Sequence, residues 1–412
     1  MIRTDVAVIG AGQAGLAMSA CLSARGIDHV VIERARIAER WRNASWDSLR
    51  LLTPNWLNEL PGWRDPQADP DAFMGKDAFV DHLTRYAAGI GAPVQTHNEV
   101  LALERIGSRY RITASRGTWE SRAAVIATGH CQSPLLPPIA TRLSPRIFQL
   151  TAAAYRRPDA LPAGGVLVIG ASASGIQIAE ELHRSGRKVT LSVGRHTRLP
   201  RRYRGHDIFR WLDRLGMLDE LPRDAAELER ARQQPSLQLT GGSRRQMSLS
   251  ALRDAGVRVV GRAASADATT MTFAGDLAAT TADADERLKR LLERIDGSAA
   301  SLGIQAAKPA PVASYVLDSP AAAIDFAGRG ISTVIWATGY RRSYPWLALP
   351  VRDAHGEIAH EGGVTAAPGL YVMGLRWMRR RSSSFIAGTG RDAAELAQHV
   401  ADYLERGRRI AA

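Results

Sequence analysis

Cysteine is almost missing: Cys21 and Cys131 are the two in 412 residues, and they form no CxxC pair. This excludes a disulfide-stapled scaffold, a cysteine-rich metal site and a vicinal redox dithiol, and makes a reduced, cytoplasmic setting the expected home. Long apolar runs are missing too. No stretch reaches the roughly 18 consecutive apolar residues of a membrane helix, so no membrane partner is expected. Met1-Ile2-Arg3-Thr4-Asp5 lacks the features of a signal peptide. No His, Asp or Glu cluster has metal-ligand spacing, so no metal is expected. Acidic residues fall short of basic ones, 41 against 54, for a net charge of +13. The excess is arginine spread along the whole chain, without a zinc-finger or aromatic RNA-binding pattern. That argues against nucleic acid and for a basic surface with sites for anionic dinucleotides.

What is present is organised around residues 6–33. Val6-Ala7-Val8-Ile9 leads into Gly10-Ala11-Gly12-Gln13-Ala14-Gly15, then a helical stretch over Leu16–Ala24, then Gly26 and the strand His29-Val30-Val31-Ile32, ending at Glu33 and Arg34. In such a βαβ unit the first glycine permits the turn, the second admits a pyrophosphate, and the third lets helix and strand pack closely. The helix N-terminus adds unpaired N–H groups and the positive end of its dipole. Glu33 lies 18 residues beyond Gly15, where a carboxylate accepts hydrogen bonds from a ribose diol. A glycine-rich turn of some other α/β sheet leaves that acid unexplained.

Residues 34–63 hold Trp41, Trp46, Trp56 and Trp63, a density suited to packing on a flat ring system or simply to a core. A helix is expected over Asp77–Ala88, with Phe79, Val80, Leu83 and Tyr86 on one face, and a strand meander over Val94–Trp119. Val100, within that meander, is counted with the first cofactor site. The strand Ala123–Ile126 ends in Ala127-Thr128-Gly129.

After Pro134, Pro137 and Pro138 the pattern returns. Val166-Leu167-Val168-Ile169 leads into Gly170-Ala171-Ser172-Ala173-Ser174-Gly175, a helix over Ile176–Ser185 and a strand over Lys188–Val193. Gly170 and Gly175 stand 160 residues after Gly10 and Gly15, and Ala337-Thr338-Gly339 repeats Ala127-Thr128-Gly129. The chain is an internal duplication. Leu252–Gly261 reads as a helix-to-strand step, Met271–Phe273 as a hairpin strand and Asp283–Leu302 as an amphipathic helix carrying Leu288, Leu291, Leu292 and Ile295. A last helix is expected from Asp392 to Arg406, preceded by Gly388-Thr389-Gly390.

The copies differ where nucleotide choice is made. The second has no acid after its strand. Arg195 stands 20 residues beyond Gly175, followed by Arg198, so guanidinium groups sit where a 2′-phosphate belongs. A solvated basic face is the alternative. Ser172 replaces the middle glycine. A diol-reading site joined to a phosphate-reading site suggests hydride flow from NADPH to a bound FAD.

The first glycine motif, Trp41, Trp46-Asp47-Ser48-Leu49, both Ala-Thr-Gly turns and Tyr340 together resemble the two-dinucleotide flavoprotein monooxygenases. These include flavin-containing monooxygenases, YUCCA-type and Baeyer–Villiger enzymes, and bacterial CzcO-like oxidoreductases. The bacterial branch is the most similar, through Gly194-Arg195-His196-Thr197-Arg198-Leu199-Pro200-Arg201-Arg202-Tyr203 and Gln238-Leu239-Thr240-Gly241. The resemblance covers nearly the whole chain. It implies an α/β fold of two Rossmann-like domains, the NADPH domain inserted into the FAD domain: residues 1–155 and 345–412 for FAD, 156–344 for NADPH. It implies an enzyme using FAD, NADPH and O2 to insert one oxygen atom into a small organic substrate through a C4a-(hydro)peroxyflavin. N- or S-oxygenation is preferred, because longer insertions are expected for Baeyer–Villiger chemistry. A homodimer is left open.

The chain departs from the family fingerprint before the second motif. Ile147 stands near its glycine and Thr151 at its histidine, while Tyr155 keeps its aromatic residue. This keeps two rivals open: a non-oxygenating flavin oxidoreductase, and a non-catalytic FAD-binding regulatory protein. By position in the family, Asn55 lies over the flavin and Ser383 or Ser384 touches ring or substrate, with a solvated basic turn as the alternative for the serines. Asp392 is expected to open the last helix, either beside the flavin or as a plain cap. His130 and Cys131 read as packing residues.

Overall fold

Apolar runs as continuous as Val6–Ile9 and Val166–Ile169 suit strands covered on both faces, and both lie at the centre of parallel sheets. The computed structural model describes residues 1–65, 67–239, 248–309, 311–315, 317 and 320–411. Thr240 and Gly241 of the bacterial-branch stretch lie outside them.

The first sheet has nine strands. Its parallel centre runs Leu370–Val372, Gly117–Ile126, Ile2–Ile9, His29–Ile32, Val94–Gln95. The antiparallel strands Val100–Ile106 and Arg109–Ala114 join it through Gly117–Ile126. The second sheet has five parallel strands in the order Arg258–Val260, Val189–Ser192, Gly165–Ile169, Ile331–Trp336, Phe148–Thr151. Strand for strand, the inner orders coincide. Each glycine motif follows a central strand, flanked by the strand after its helix and by the strand before an Ala-Thr-Gly turn. The chain therefore holds two dinucleotide-binding units of one architecture.

The second unit is inserted into the first, and the chain enters and leaves it side by side: Ser133–Pro134 pairs antiparallel with Tyr340–Arg341. Phe148–Thr151 already belongs to the second sheet, and Tyr155 is fully buried in the second core. The passage between units thus comes earlier than residue 155.

Three elements differ from expectation. Gly117–Ile126 is one ten-residue strand rather than two. The helix expected over Asp283–Leu302 spans Leu277–Ser298, burying Leu288 and Ile295. The last helix runs Ile386–Ala411, so Asp392 lies inside it and Gly388-Thr389-Gly390 forms its first turn. Glycine weakens a helix in isolation. Here packing decides: a Cβ on Gly388 would lie 1.9 Å from the Ser382 carbonyl oxygen, and one on Gly390 would lie 3.0 Å from Pro61. Elsewhere the periodicity holds. Helix Lys76–Gly89 buries Phe79, Val80, Leu83 and Tyr86, and Thr270–Phe273 is the middle of a three-stranded antiparallel sheet.

Candidate functional site

Ile9 ends its strand, and the chain turns at Gly10 with φ of +107°, a conformation L side chains rarely adopt. A Cβ there would come within 2.8 Å of the Ala127 carbonyl oxygen, and one on Gly15 within 1.9 Å of the Gly10 carbonyl oxygen. Strand, turn and helix touch through backbone at these positions. Gly12 is different. Its φ is −86°, open to any residue, and a Cβ would meet nothing within 4 Å. It borders free space at the start of helix Gln13–Ser23, whose first N–H groups have no side-chain cap. That cradle fits a pyrophosphate.

The residues expected around it converge. Glu33 is buried at the end of His29–Ile32, where it accepts hydrogen bonds from the N–H of Ala11 (2.8 Å) and of Ala35 (3.0 Å). Its carboxylate stands against the glycine turn. Arg34 is exposed beside it. Trp41 Nε1 donates to Gln13 Oε1 at 3.2 Å and its ring meets Phe79 edge-on. Ala127 donates its N–H to Ile9 O at 2.9 Å, Thr128 accepts from Gln132, and Gly129 turns at φ +75°. Ala14 faces Gly374, where a Cβ would approach within 2.8 Å. Gly374 was not foreseen, although its place at the end of Leu370–Val372 matches that of Gly10. Val100 is buried at the start of its strand, within the first core.

The second turn repeats the first. Gly170 has φ +104°, and its Cβ would lie 2.5 Å from the Ala337 carbonyl oxygen; a Cβ on Gly175 would lie 1.8 Å from that of Gly170. Ser172 takes the place of Gly12 and makes no capping hydrogen bond. A cavity of about 530 Å³ opens here, lined by Gly170, Ser172, Ala173, Ser174, Arg195, Ala337, Thr338 and Gly339, within the size range of ligand sites. Arg232, Arg342 and Arg376 also line it, against Glu357 as the acid. Arg342 pairs with Glu357, so the remaining charge is cationic and suits phosphates. Arg232 and Arg376 carry no sequence signal that separates them from other arginines. His130 and Cys131 line the cavity as well. Burial holds His130 down to about 4, with Arg376 adding to the effect. Burial pushes the Cys131 thiol up, opposed by Arg40, Arg376 and Arg342.

Some candidates have other work. Arg195 is exposed at the cavity, but Arg198 is buried, paired with Asp285, bonded to Ala313 O and stacked over Tyr315 at 4.0 Å. Its guanidinium is committed inside the protein and does not face the cavity. Ser383 is fully buried and its Oγ accepts from the N–H of Arg379 (3.0 Å) and Arg380 (2.9 Å), closing a turn. Ser384 is half-buried next to it. Asp392 is no helix cap: it is fully buried and takes Arg380 Nε at 3.0 Å, and burial raises its pKa against Ser383 and Arg380. Asn55 starts the short helix Asn55–Leu57 and donates Nδ2 to Asp69 O at 2.8 Å, leaving Oδ1 buried without a partner. Of the catalytic candidates, Ser383 is committed to its turn, whereas the Asn55 amide oxygen keeps hydrogen-bonding capacity to spare.

Among the described residues, no helix is long and apolar enough to cross a membrane, and no group of three His, Cys, Asp or Glu side chains could hold a metal.

Comparison with known proteins agrees with this geometry. Residues 7–209 match the pyridine nucleotide-disulphide oxidoreductase model. An uncharacterized CzcO-like oxidoreductase of Geobacillus kaustophilus is 31% identical over 402 residues, covering 97% of this chain and 99% of that protein. The indole-3-pyruvate monooxygenase YUCCA1 of Oryza sativa is 30% identical over 233 residues, 54% of this chain and 57% of that one. The solved flavin-containing monooxygenase of Stenotrophomonas maltophilia shares the fold, with a TM-score of 0.66 at 22% identity over 98% of this chain and 99% of that one. The chain belongs to the CzcO-like oxidoreductases, within the flavoprotein family that includes the flavin monooxygenases.

Proposed function

We propose that the chain is an NADPH- and FAD-dependent monooxygenase that transfers one oxygen atom of O2 to a small organic molecule, with N- or S-oxygenation as the preferred chemistry. The observation that carries this reading is the contrast between the two clefts. Glu33 stands hydrogen-bonded at the first glycine turn, while the second opens onto Arg195 and a cationic wall. A carboxylate suits the free ribose diol of FAD, and a guanidinium suits the 2′-phosphate of NADPH. Two free cysteines far apart, Cys21 and Cys131, offer no dithiol relay and suit a reducing cytoplasm.

When bound, FAD supplies hydride acceptance and oxygen activation. The chain's part is to bind, orient and exclude. Gly12 and Ser172 border the phosphate cradles, Glu33 and Arg195 read the riboses, and the buried Asn55 Oδ1 offers an acceptor to a ring or substrate N–H.

A second reading is a non-oxygenating oxidoreductase, favoured by Thr151 and Ile147 in the altered fingerprint. Aerobic turnover with NADPH and a panel of amines and thioethers separates the two. Incorporation of labelled oxygen from O2 into product supports the monooxygenase. Release of one H2O2 per NADPH with every substrate tested would sink it.

A further inference from the structure

The loop over residues 45–49 belongs to the first unit by sequence, yet its side chains are divided between both. Trp46 is 5% exposed and packs in the second core, and Leu49 packs against both cores. The backbone N–H of Asp47 donates to Arg156 O at 2.9 Å, and Arg156 Nη1 returns a bond to Ser45 O at 3.3 Å. From the other side Lys76 holds the loop to the first unit, through Asp47 at 3.1 Å and its own N–H to Leu49 O at 2.9 Å. The loop is a strap across the junction.

One carboxylate fastens the strap to the second glycine motif. Glu181 lies on helix Ala173–Arg184, the helix that begins at that motif. Its Oε1 accepts from Ser48 Oγ at 2.7 Å and its Oε2 from the fully buried Tyr155 hydroxyl at 2.8 Å. Hydrogen bonds to an ionised carboxylate are short, and about twice as strong as neutral ones. Upstream of the strap, Trp41 reaches Gln13, the first residue of the first motif's helix. Trp41 is joined to the strap by the backbone of residues 42–44, so chain and side-chain contacts together link one glycine helix to the other.

We propose that Glu181 is a positioning residue: by holding Ser48 and Tyr155 together, it couples occupancy of the second cleft to the order of the strap beside the first. The proposal rests on the reading of the second cleft as the NADPH site. A ligand at the start of helix Ala173–Arg184 orders that helix, and Glu181 passes the order to Ser48 and so to residues 45–49. The coupling needs a shift in a two-state element and not mere proximity, which sets the form of the test.

The test is hydrogen–deuterium exchange of residues 43–53 in the FAD-loaded protein with and without NADP⁺, with NADP⁺ affinity measured separately by tryptophan fluorescence. In the wild type, NADP⁺ slows exchange of the strap, on the order of tenfold. In Glu181→Ala, NADP⁺ binds within about twofold of wild type but the slowing is lost. Ser48→Ala, which removes an exposed hydroxyl and leaves the fold intact, gives the same loss. The double variant adds nothing further, as expected for two residues in one interaction, and Glu181→Gln restores part of the effect by keeping an amide between the hydroxyls. Strap protection that survives in both single variants with NADP⁺ bound overturns the proposal and leaves the second-site reading standing. Failure of wild type to bind NADP⁺ overturns both.

Discussion

The two glycine turns share one backbone and differ in what they carry. Gly10 and Gly170 have φ of +107° and +104°, and the Cβ contacts that would clash at Gly15 and Gly175 measure 1.9 and 1.8 Å. The middle position is extended in both, φ −86° at Gly12 and −79° at Ser172. The outer glycines are thus demanded by the fold, through left-handed backbone and close approach. The middle residue is demanded only by what binds. Conserved architecture and variable ligand choice separate cleanly within six residues, and the strand that follows repeats the lesson, ending in Glu33 in one copy and leading to Arg195 in the other.

The largest effect expected is at the fold-determined glycines. Gly15→Ala puts a methyl into the Gly10 carbonyl, and Gly175→Ala does the same at Gly170. Overpacking of this kind costs about 1–3 kcal/mol or more. Each variant is expected to lose the ligand of its own cleft: Gly15→Ala loses FAD, read as the flavin absorbance retained on purification, whereas Gly175→Ala keeps FAD and loses NADPH binding. If Gly175→Ala also loses FAD, the two clefts are not independent sites and the comparison fails.

Next comes Arg195. A hydrogen bond to a charged group contributes about 1.5–3 kcal/mol, so Arg195→Ala should weaken NADPH by roughly 10- to 150-fold and NADH by little. Titration of both cofactors measures the ratio. Equal loss for the two would remove Arg195 from the 2′-phosphate and hand that role to another arginine of the cavity wall. Arg198→Ala, by contrast, should act on stability. It strands Asp285, which also accepts from the N–H of Tyr315 at 2.8 Å.

These expectations show which parts of the molecule the sequence makes legible. Gly15 and Gly175 answer to the turn five residues before them, and Gly10 and Gly170 to the left-handed backbone of that turn, so spacing alone reveals turn, helix and strand. The same is true of helix Lys76–Gly89, whose buried face follows its periodicity. Features set by distant partners stay hidden. Arg198 looks like Arg195 until Asp285, 87 residues on, captures it. Gly390 looks like a loop residue until Pro61, far back in the chain, packs against it inside the last helix. Ser383 is hidden for a local reason instead: its lone pairs close a turn with the N–H groups of Arg379 and Arg380, a use that residue type alone does not separate from ligand binding. Phe148–Thr151 joins the second sheet through Ile331–Trp336, far along the chain. Tertiary contacts decide at Arg198, Gly390 and Phe148–Thr151, where local pattern alone does not.

The finest test of the comparison is the smallest substitution. Ser172 sits where Gly12 leaves open space, with an ordinary φ and no capping hydrogen bond. Ser172→Gly therefore removes no contact that the fold uses. Its expected cost is the extra chain entropy of glycine, roughly 0.5–1 kcal/mol, seen as a slight fall in the denaturant midpoint. Against that cost, the second cleft gains the room that Gly12 gives the first. If the middle residue is set by pyrophosphate approach, Ser172→Gly tightens NADPH by a few-fold and tightens 2′-phospho-ADP-ribose equally, because both bear the same pyrophosphate. If affinity falls instead, the serine hydroxyl is itself a phosphate ligand, and the second cleft holds its pyrophosphate by a side chain where the first relies on backbone.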